Sequence, residues 1–312
     1  MEAGKVSGNI LKRSVINLIG RGPATAKDAA VVENNCRRIL TATAVGGGSI
    51  SDMEFAVYRA ANNIWAAGGE LLCLQTAIVI GTNVEERELK SITRALIAAG
   101  KKCGTYISGG HTTVRNDVSE YLVTVTAIGN INGNPCDVRN AKPGDDIVVS
   151  KWAGLEGSYA IVNSDSFAAL RERFAGDYLE PVFEYGDWMT IKDEALLAYG
   201  NGVRTMHDVS EGGILGALYD LSEGMQLGIE IDLKAIPFRQ ETVEIATSLM
   251  INPYRMPSMG SLIMVADNGN ELVKILDEAG IPAAIVGKVL DNHDKIVINE
   301  DETGFLNRNG NP

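Results

Sequence analysis

Alternation between short apolar runs and amphipathic stretches is the feature that most restricts the fold of this sequence. In the second half, residues 147–150 and 261–266 have the length and apolar content of strands. Residues 191–199 and 214–222 instead carry apolar side chains at helical spacing. The alternation continues to a last strand at 295–298 and predicts an α/β architecture.

The first half shows the same rhythm. Strands are predicted at 29–32, 38–43, 72–80, 103–108 and 121–129, and a short helix at 10–19. Ser51 and Glu54 have capping-box spacing, and Gly68 and Gly69 can end the helix they open. Asn83 can cap the next helix, which Gly100 ends.

A domain junction is predicted where proline, glycine and charge cluster, at 134–135 and 141–145. A chain of 312 residues is long enough for two hydrophobic cores. We therefore expect an N-terminal domain at residues 1–135 and a C-terminal domain at 136–312.

Charge and cysteine content restrict the partners and the compartment. The net charge of −12 argues against nucleic-acid binding but leaves room for one small anionic ligand in a local pocket. The four cysteines form no CxxC pair, which is typical of free thiols in a reducing cytoplasm. No window approaches the roughly 20 apolar residues of a membrane span, and the N-terminus lacks an uninterrupted apolar run, so we expect neither membrane insertion nor secretion.

The segment 206–213, MHDVSEGG, places a glycine pair between a strand and a helix. Asp208 and Glu211 have capping-box spacing, and Gly212 and Gly213 open the helix. The free N–H groups of such a helix start can hold a phosphate. The alternative is that Asp208 and the glycines only cap the helix and turn the chain, which is the commoner role of such residues.

A second glycine pair stands at 109–112, GGHT, after the run 105–108. His111 and Thr112 are predicted to project from the carboxyl end of that strand, where α/β proteins bind ligands. The histidine could donate to a phosphate, ligate a metal or act as an acid or base; a plain turn is the alternative. Gly46–Gly47–Gly48 lacks the lysine and hydroxyl residue of a P-loop, so we expect a mobile loop there. Neither GxGxxG, GxSxG nor HExxH occurs at a suitable place.

Seven segments in one order resemble the superfamily of aminoimidazole ribonucleotide (AIR) synthetase, and most of all its hydrogenase-maturation dehydratase branch. They are KDAAV at 27–31, LTAT at 40–43, NNIWAAGG at 62–69, GGHT at 109–112, KPGD at 142–145, GLEG at 154–157 and HDVSEGG at 207–213.

The resemblance implies two α/β domains, a homodimer whose N-terminal strands form a central barrel, and ATP with Mg²⁺ in a cleft between the domains. It implies an enzyme that activates an oxygen of a small molecule or a protein-borne group by phosphoryl transfer, which depends on positioning and charge neutralisation. The implied metal ligand is Asp28, and the catalytic candidates are His111, His207 and Asp208. The implied nucleotide-binding residues are Asp28, Thr43, Asn63, Gly109, Gly110, His111, Thr112, Glu211, Gly212 and Gly213.

Departures from the family pattern leave the chemistry open. Thr43, Asn63 and His111 stand where relatives carry acidic residues, which predicts weaker Mg²⁺ binding, because Mg²⁺ prefers carboxylate and phosphate oxygens. The maturation branch uses a C-terminal cysteine, whereas no cysteine follows Cys136 here, which argues against that specific reaction. Two alternatives therefore remain: a non-catalytic dimer that binds a nucleotide or metabolite, and a transition-metal site built on His111.

Overall fold

The computed structural model describes residues 13–14, 29–34 and 37–307. The predicted helix at 10–19 lies almost entirely outside these residues, and so does Asp28. The chain divides into two compact units, the N-terminal unit within Asp28–Pro135 and the C-terminal unit within Cys136–Pro312. No helix in the described part of the chain is long and apolar enough to cross a membrane.

The N-terminal unit is a five-stranded sheet with two helices. Its elements are β1 (Ala29–Asn34), β2 (Arg37–Gly47), α1 (Ile50–Ala66), β3 (Glu70–Gly81), α2 (Glu86–Lys102), β4 (Ile107–Arg115) and β5 (Tyr121–Asn130). The strand order is β1-β2-β5-β3-β4. All neighbours pair antiparallel except β3 and β4, which are parallel.

The two faces of this sheet differ. Leu40, Leu74 and Val125 are fully buried on the face that α1 and α2 cover. On the opposite face, which we call the open face, Ile39, Val45 and Leu122 are partly exposed, at 38%, 51% and 44%. Alternate residues of a strand point to opposite faces, so the sheet has one packed side and one uncovered side.

Both helices of the N-terminal unit begin elsewhere than the sequence predicts. The N-cap of the first helix is Ser49, not Ser51: its Oγ accepts a hydrogen bond from the N–H of Asp52 at 3.1 Å. The Asp52 carboxylate in turn accepts the N–H of Gly47 at 2.8 Å, and this contact fixes the turn that follows β2. The second helix is capped by Glu85 with Glu88 in a capping box, so the prediction of Asn83 was wrong.

The C-terminal unit contains a seven-stranded mixed sheet. Its elements are β6 (Asp146–Ser150), α3 (Leu155–Val162), α4 (Ser166–Arg173), α5 (Lys192–Gly200), β7 (Thr205–Asp208), α6 (Gly213–Met225), β8 (Gly228–Asp232), α7 (Gln240–Leu249), β9 (Leu262–Ala266), α8 (Gly269–Glu278), β10 (Ala283–Leu290), β11 (Lys295–Asn299) and β12 (Glu302–Phe305), with 3₁₀ turns at Val138–Asn140, Glu180–Trp188, Leu233–Ala235 and Pro253–Arg255. The strand order is β12-β11-β8-β10-β6-β9-β7, and only β8 and β11 pair in parallel.

The core of the C-terminal unit lies between this sheet and α6. Ile214, Leu215 and Leu218 of α6 pack with Ile263 and Val265 of β9 in one buried cluster. The apolar positions that predict α6 are therefore the ones that bury it. The sequence at 156–170 favours one continuous helix, whereas the structure has two helices separated at 163–165. The last strand, β12, was not predicted.

Candidate functional site

The GGHT segment lies inside a strand, and the prediction that it follows one was wrong. β4 spans Ile107–Arg115, and His111 pairs with Ala77 of β3. A Cβ at Gly110 would collide with the carbonyl oxygen of Thr76, whereas a Cβ at Gly109 would meet nothing within 4 Å. Glycine is thus needed at 110 because two backbones approach closely there.

His111 and Thr112 consequently point to opposite faces of the sheet. His111 shares the open face with Ala77 and, through β5, with Thr124 and Val45. Thr112 shares the helix-covered face with Ile78, which is buried.

The residues predicted to surround a nucleotide phosphate are dispersed within the N-terminal unit. Thr43 lies on the open face of β2, where its Oγ1 is 3.1 Å from Oγ1 of Thr126. Two strands separate β2 from β4, and the register places Thr43 level with Gly109, two residues before His111, so Thr43 and His111 are about 16 Å apart by ordinary strand geometry. Asn63 belongs to α1, on the other face. These three side chains do not form one ligand shell within a single chain.

The described residues also provide no carboxylate shell for Mg²⁺. No group of three His, Cys, Asp or Glu residues in the described part of the chain is placed to hold a metal ion. Thr43 and His111 offer a hydroxyl and an imidazole, which suit Mg²⁺ less well than carboxylates do. The predicted ligand Asp28 lies outside the described residues. We therefore assign no step to a metal.

A groove runs between β4 and α2, and we call it the β4–α2 groove. Its volume is about 540 Å³, within the usual range for small-ligand pockets of roughly 300 to 1,000 Å³. The groove combines apolar walls with hydroxyl groups, one ammonium and one ring that is 65% exposed, that of Tyr106. The lining residues are Thr76, Ile78, Thr93, Leu96, Ile97, Lys101, Thr105, Tyr106, Ile107, Gly109, Gly110, His111 and Thr112.

In the C-terminal unit, MHDVSEGG forms the turn from β7 into α6. His207 and Asp208 end the strand, and both side chains are buried. Nδ1 of His207 lies 2.6 Å from the carbonyl oxygen of Asp208. The helix begins at Gly213 as predicted, but its N-cap is Gly212 in the left-handed conformation, at φ 88°, with no side-chain cap. The predicted capping box of Asp208 and Glu211 is therefore wrong.

Gly213 is needed for a second close approach. Its φ is 66°, and a Cβ there would lie 2.5 Å from Tyr254 O and 2.7 Å from Met256 O. The neighbouring Ser258 donates its N–H to Ser210 O at 3.4 Å. The segment 254–258 therefore presses against the start of α6.

The same segment also reaches the GLEG motif at the start of α3. Oγ of Ser258 accepts the N–H of Gly154 at 2.7 Å, and the carbonyl of Pro257 accepts the N–H of Gly157 at 2.8 Å. Gly154, like Gly212, is a left-handed N-cap without a side-chain cap. Two glycine-capped helix starts thus share one supporting loop. Sequence reasoning missed Ser258, because no local pattern marks a serine that bonds to residues about 100 positions away.

Charge around this turn is mixed. Asp208 and Glu211 are acidic, and the turn itself contains no lysine or arginine. Arg255 lies on the supporting loop, where burial holds the pKa of its guanidinium below the usual value. One of its Nη atoms donates to the carbonyl of Asn307 at 2.6 Å.

Comparison with known proteins places this architecture in one family. The model of the AIR synthase related protein N-terminal domain matches residues 26–131, and that of the C-terminal domain matches residues 142–299. A carbamoyl dehydratase HypE of Rhizobium leguminosarum bv. viciae is 27% identical over 257 residues, covering 79% of this chain and 70% of that protein.

Solved structures agree on the fold. A chain of a HypE–HypF complex superimposes with a TM-score of 0.76 at 21% identity, covering 96% of this chain and all of that one. AaThiL complexed with AMPPCP and TMP gives a TM-score of 0.74 at 14% identity, covering 96% of this chain and 97% of that one. Because the two family models together span most of the sequence, the chain belongs to the AIR synthase related protein family.

Proposed function

We propose that this protein is an ATP-dependent enzyme that activates an oxygen atom of a small molecule or protein-borne group by phosphoryl transfer. The observation that carries the proposal is the β4–α2 groove, which contains four of the residues expected to bind nucleotide, Gly109 to Thr112. Relatives support it: one HypE structure is a complex with ATP, and AaThiL is a complex with AMPPCP.

The β4–α2 groove contains side chains that can contact both the base and the phosphates of a nucleotide. The exposed ring of Tyr106 can stack on the base in an offset arrangement, which is favourable for two aromatic rings. The ammonium of Lys101 can pair with a phosphate oxygen. The hydroxyl of Thr112 makes no hydrogen bond with any described residue, so it is available to the same phosphates.

The reaction would transfer the γ-phosphoryl group from ATP to the substrate oxygen. The bond from phosphorus to the bridging oxygen breaks, ADP leaves, and the new phosphate ester turns the substrate oxygen into a good leaving group. Catalysis then depends on orientation rather than on a protein nucleophile.

We also propose that the protein is a homodimer that buries the open face. Ile39, Val45 and Leu122 are each 38% to 51% exposed on that side of the sheet. A patch of large apolar side chains of this kind is typical of an interface. Sedimentation of the wild type and of Leu122→Lys, which places a charge on the open face, measures the oligomeric state.

The second candidate is a non-catalytic relative that binds a nucleotide or metabolite. It is favoured by one observation, the contact between Thr43 and Thr126, which puts paired hydroxyls where the family resemblance implies a carboxylate. In that case ATP binds without being consumed.

Calorimetric titration with ATP, with and without Mg²⁺ and combined with an ADP assay, separates the two candidates. Lys101→Ala should lower the affinity for ATP about tenfold, because it removes one charge-assisted hydrogen bond to a phosphate oxygen. Lys90→Ala is the matched control, because Lys90 is on the same helix but pairs with Glu86 at 2.6 Å and does not line the groove.

The possible outcomes of the titration distinguish these candidates. ADP release supports the enzyme, and binding without ADP release supports the non-catalytic relative. No ATP binding by the wild type would exclude the enzyme. Zinc binding that His111→Ala abolishes and His293→Ala leaves intact would instead favour the metal site on His111.

A further inference from the structure

The N-terminal unit has a second cavity, beside the first turns of α2, and we call it the α2–β5 cavity. Its volume is about 360 Å³, within the usual range for small-ligand pockets of roughly 300 to 1,000 Å³. None of the residues assigned to nucleotide binding lines it, so its ligand would be separate from the nucleotide. The lining residues are Ile50, Arg87, Glu88, Ser91, Ile92 and Tyr121.

Part of the wall is apolar or aromatic. Ile50, the first residue of α1, is 39% exposed, and Ile92 of α2 is fully buried. Tyr121 begins β5 and is partly buried. Its hydroxyl makes no hydrogen bond with any residue that the structure describes. The cavity can therefore contact an alkyl chain and also presents an aromatic ring.

The charges around the cavity do not balance. The two basic side chains at the start of α2, Arg87 and Lys90, already pair with neighbouring carboxylates at 2.9 and 2.6 Å. By contrast, Glu88 and Glu120 form no ion pair within the described ranges 29–34 and 37–307. One oxygen of Glu88, Oε2, accepts the capping-box N–H at 2.9 Å, which leaves Oε1 for another donor.

Both of these carboxylates lie near Tyr121. Glu120 precedes Tyr121 directly in the chain, and Glu88 lines the cavity together with it. Burial, followed by the negative charges of Glu120 and Glu88, raises the pKa of the Tyr121 phenol. A cleft whose uncompensated charges have one sign attracts ligands of the opposite sign. The cavity therefore favours a cation.

We propose that the α2–β5 cavity binds an aliphatic diammonium ion, with one ammonium paired to Glu88 and the other to Glu120. The alkyl chain then contacts Ile50, and an ammonium can also lie over the ring of Tyr121. Ammonium groups donate strong charge-assisted hydrogen bonds to carboxylates. A metal ion fits less well, because no group of three His, Cys, Asp or Glu residues among those described is placed to hold one.

The test is a calorimetric titration of the full chain, at constant ionic strength, with cadaverine, pentylamine and 1,5-pentanediol. These probes have alkyl chains of equal length but carry two, one and no ammonium groups. We expect cadaverine to bind and pentylamine to bind about tenfold more weakly, because one charge-assisted contact is lost. Pentanediol should not bind.

A charge-removing variant locates the site. Glu88→Gln keeps an oxygen that can accept the capping-box N–H but removes the negative charge. We expect it to weaken cadaverine about tenfold and to reduce the difference between cadaverine and pentylamine. Glu86→Gln is the matched control, because Glu86 is in the same helix turn but pairs with Lys90 and does not line the cavity. This control should bind as the wild type does.

Equal wild-type affinities for cadaverine and pentylamine would overturn the proposal, since they would indicate a site for a single ammonium, such as a lysine side chain. Absence of cadaverine binding, binding of pentanediol, or equal losses in Glu88→Gln and Glu86→Gln would also overturn it. If Glu88→Gln does not fold, Glu120→Gln, immediately before β5, makes the same comparison. No probe contains phosphate, so failure here and failure of ATP binding are separate results.

Discussion

Replacing Gly213 by alanine should destabilise the C-terminal unit much more than the same change at Gly212. Both glycines are left-handed, at φ 66° and 88°, so alanine at either position costs about 1–2 kcal/mol. At Gly212 the nearest atom to a new Cβ is Cα of Gly216, at 3.7 Å, which is ordinary contact. The expected loss for Gly212→Ala is therefore about 1–2 kcal/mol in total.

At Gly213 a steric cost is added. The new Cβ would lie 2.5 Å from Tyr254 O and 2.7 Å from both Arg255 C and Met256 O, and these are backbone atoms that cannot rotate away. Overpacking of this kind costs about 1–3 kcal/mol, so the total for Gly213→Ala is about 2–5 kcal/mol. The difference between the two variants isolates the close approach of the segment 254–256.

Urea unfolding gives the two free energies, and hydrogen exchange in β7 and β9 assigns the loss to the C-terminal unit. We expect the midpoint to fall for both variants and to fall further for Gly213→Ala. Equal losses for the two variants would refute the reasoning, because the left-handed conformation would then account for the whole effect. A loss of exchange protection in β2 and β5 would instead assign the destabilisation to the N-terminal unit and contradict the prediction.

Three further predictions concern other positions. Gly110→Ala should destabilise the N-terminal unit by about 1–3 kcal/mol because its Cβ meets the backbone of β3, whereas Gly109→Ala should be tolerated; exchange protection in β4 measures both. Lys151→Met should lower the free energy of unfolding by about 3–5 kcal/mol in urea, since Lys151 and Glu194 form a 2.8 Å ion pair with side chains only 12% and 3% exposed, and the buried carboxylate would lose its only ion-pair partner among the described residues. Burial and the nearby Glu241 raise the pKa of the Tyr185 phenol to about 12. The neutral phenol therefore stabilises the fold below pH 10, and this stabilisation is lost as the pH rises from 10 to about 12. Tyr185→Phe should reduce this alkaline loss of stability in thermal melts.

Each of these has a control or an opposing result. Lys90→Met breaks an exposed pair, with side chains 60% and 80% exposed, and should change the free energy of unfolding by less than about 1 kcal/mol. An effect of Gly109→Ala as large as that of Gly110→Ala would contradict the close approach of β3 and β4. Identical alkaline stability curves for the wild type and Tyr185→Phe would contradict the role of the buried phenol.

Helix positions could be predicted well because their signal is local. The stretch predicted at 191–199 is Lys192–Gly200, and the one predicted at 214–222 lies within Gly213–Met225. An amphipathic repeat is contained in the residues themselves, so the face that will be buried is visible before the partner is known. The order of the seven motifs likewise predicted the family from the sequence alone, and the family models confirm that prediction.

Caps could not be predicted from spacing alone. Ser49 and Ser51 are both suitable N-caps, and the choice was made by the Asp52 carboxylate, which also accepts Gly47 N–H. At Gly212 the chain does without a side-chain cap altogether. Which group satisfies a helix start depends on how the preceding segment approaches it.

The sequence by itself determined the α/β class, most of the element boundaries and the family, because periodicity, turn residues and motif order are properties of neighbouring positions. Only the tertiary structure decided that GGHT lies within a strand paired with β3, that Thr43 and His111 lie about 16 Å apart, and that the segment 254–258 supports both glycine-capped helices. Strand pairing and close backbone approach join residues far apart in the chain, and no local pattern records which strand will be the neighbour.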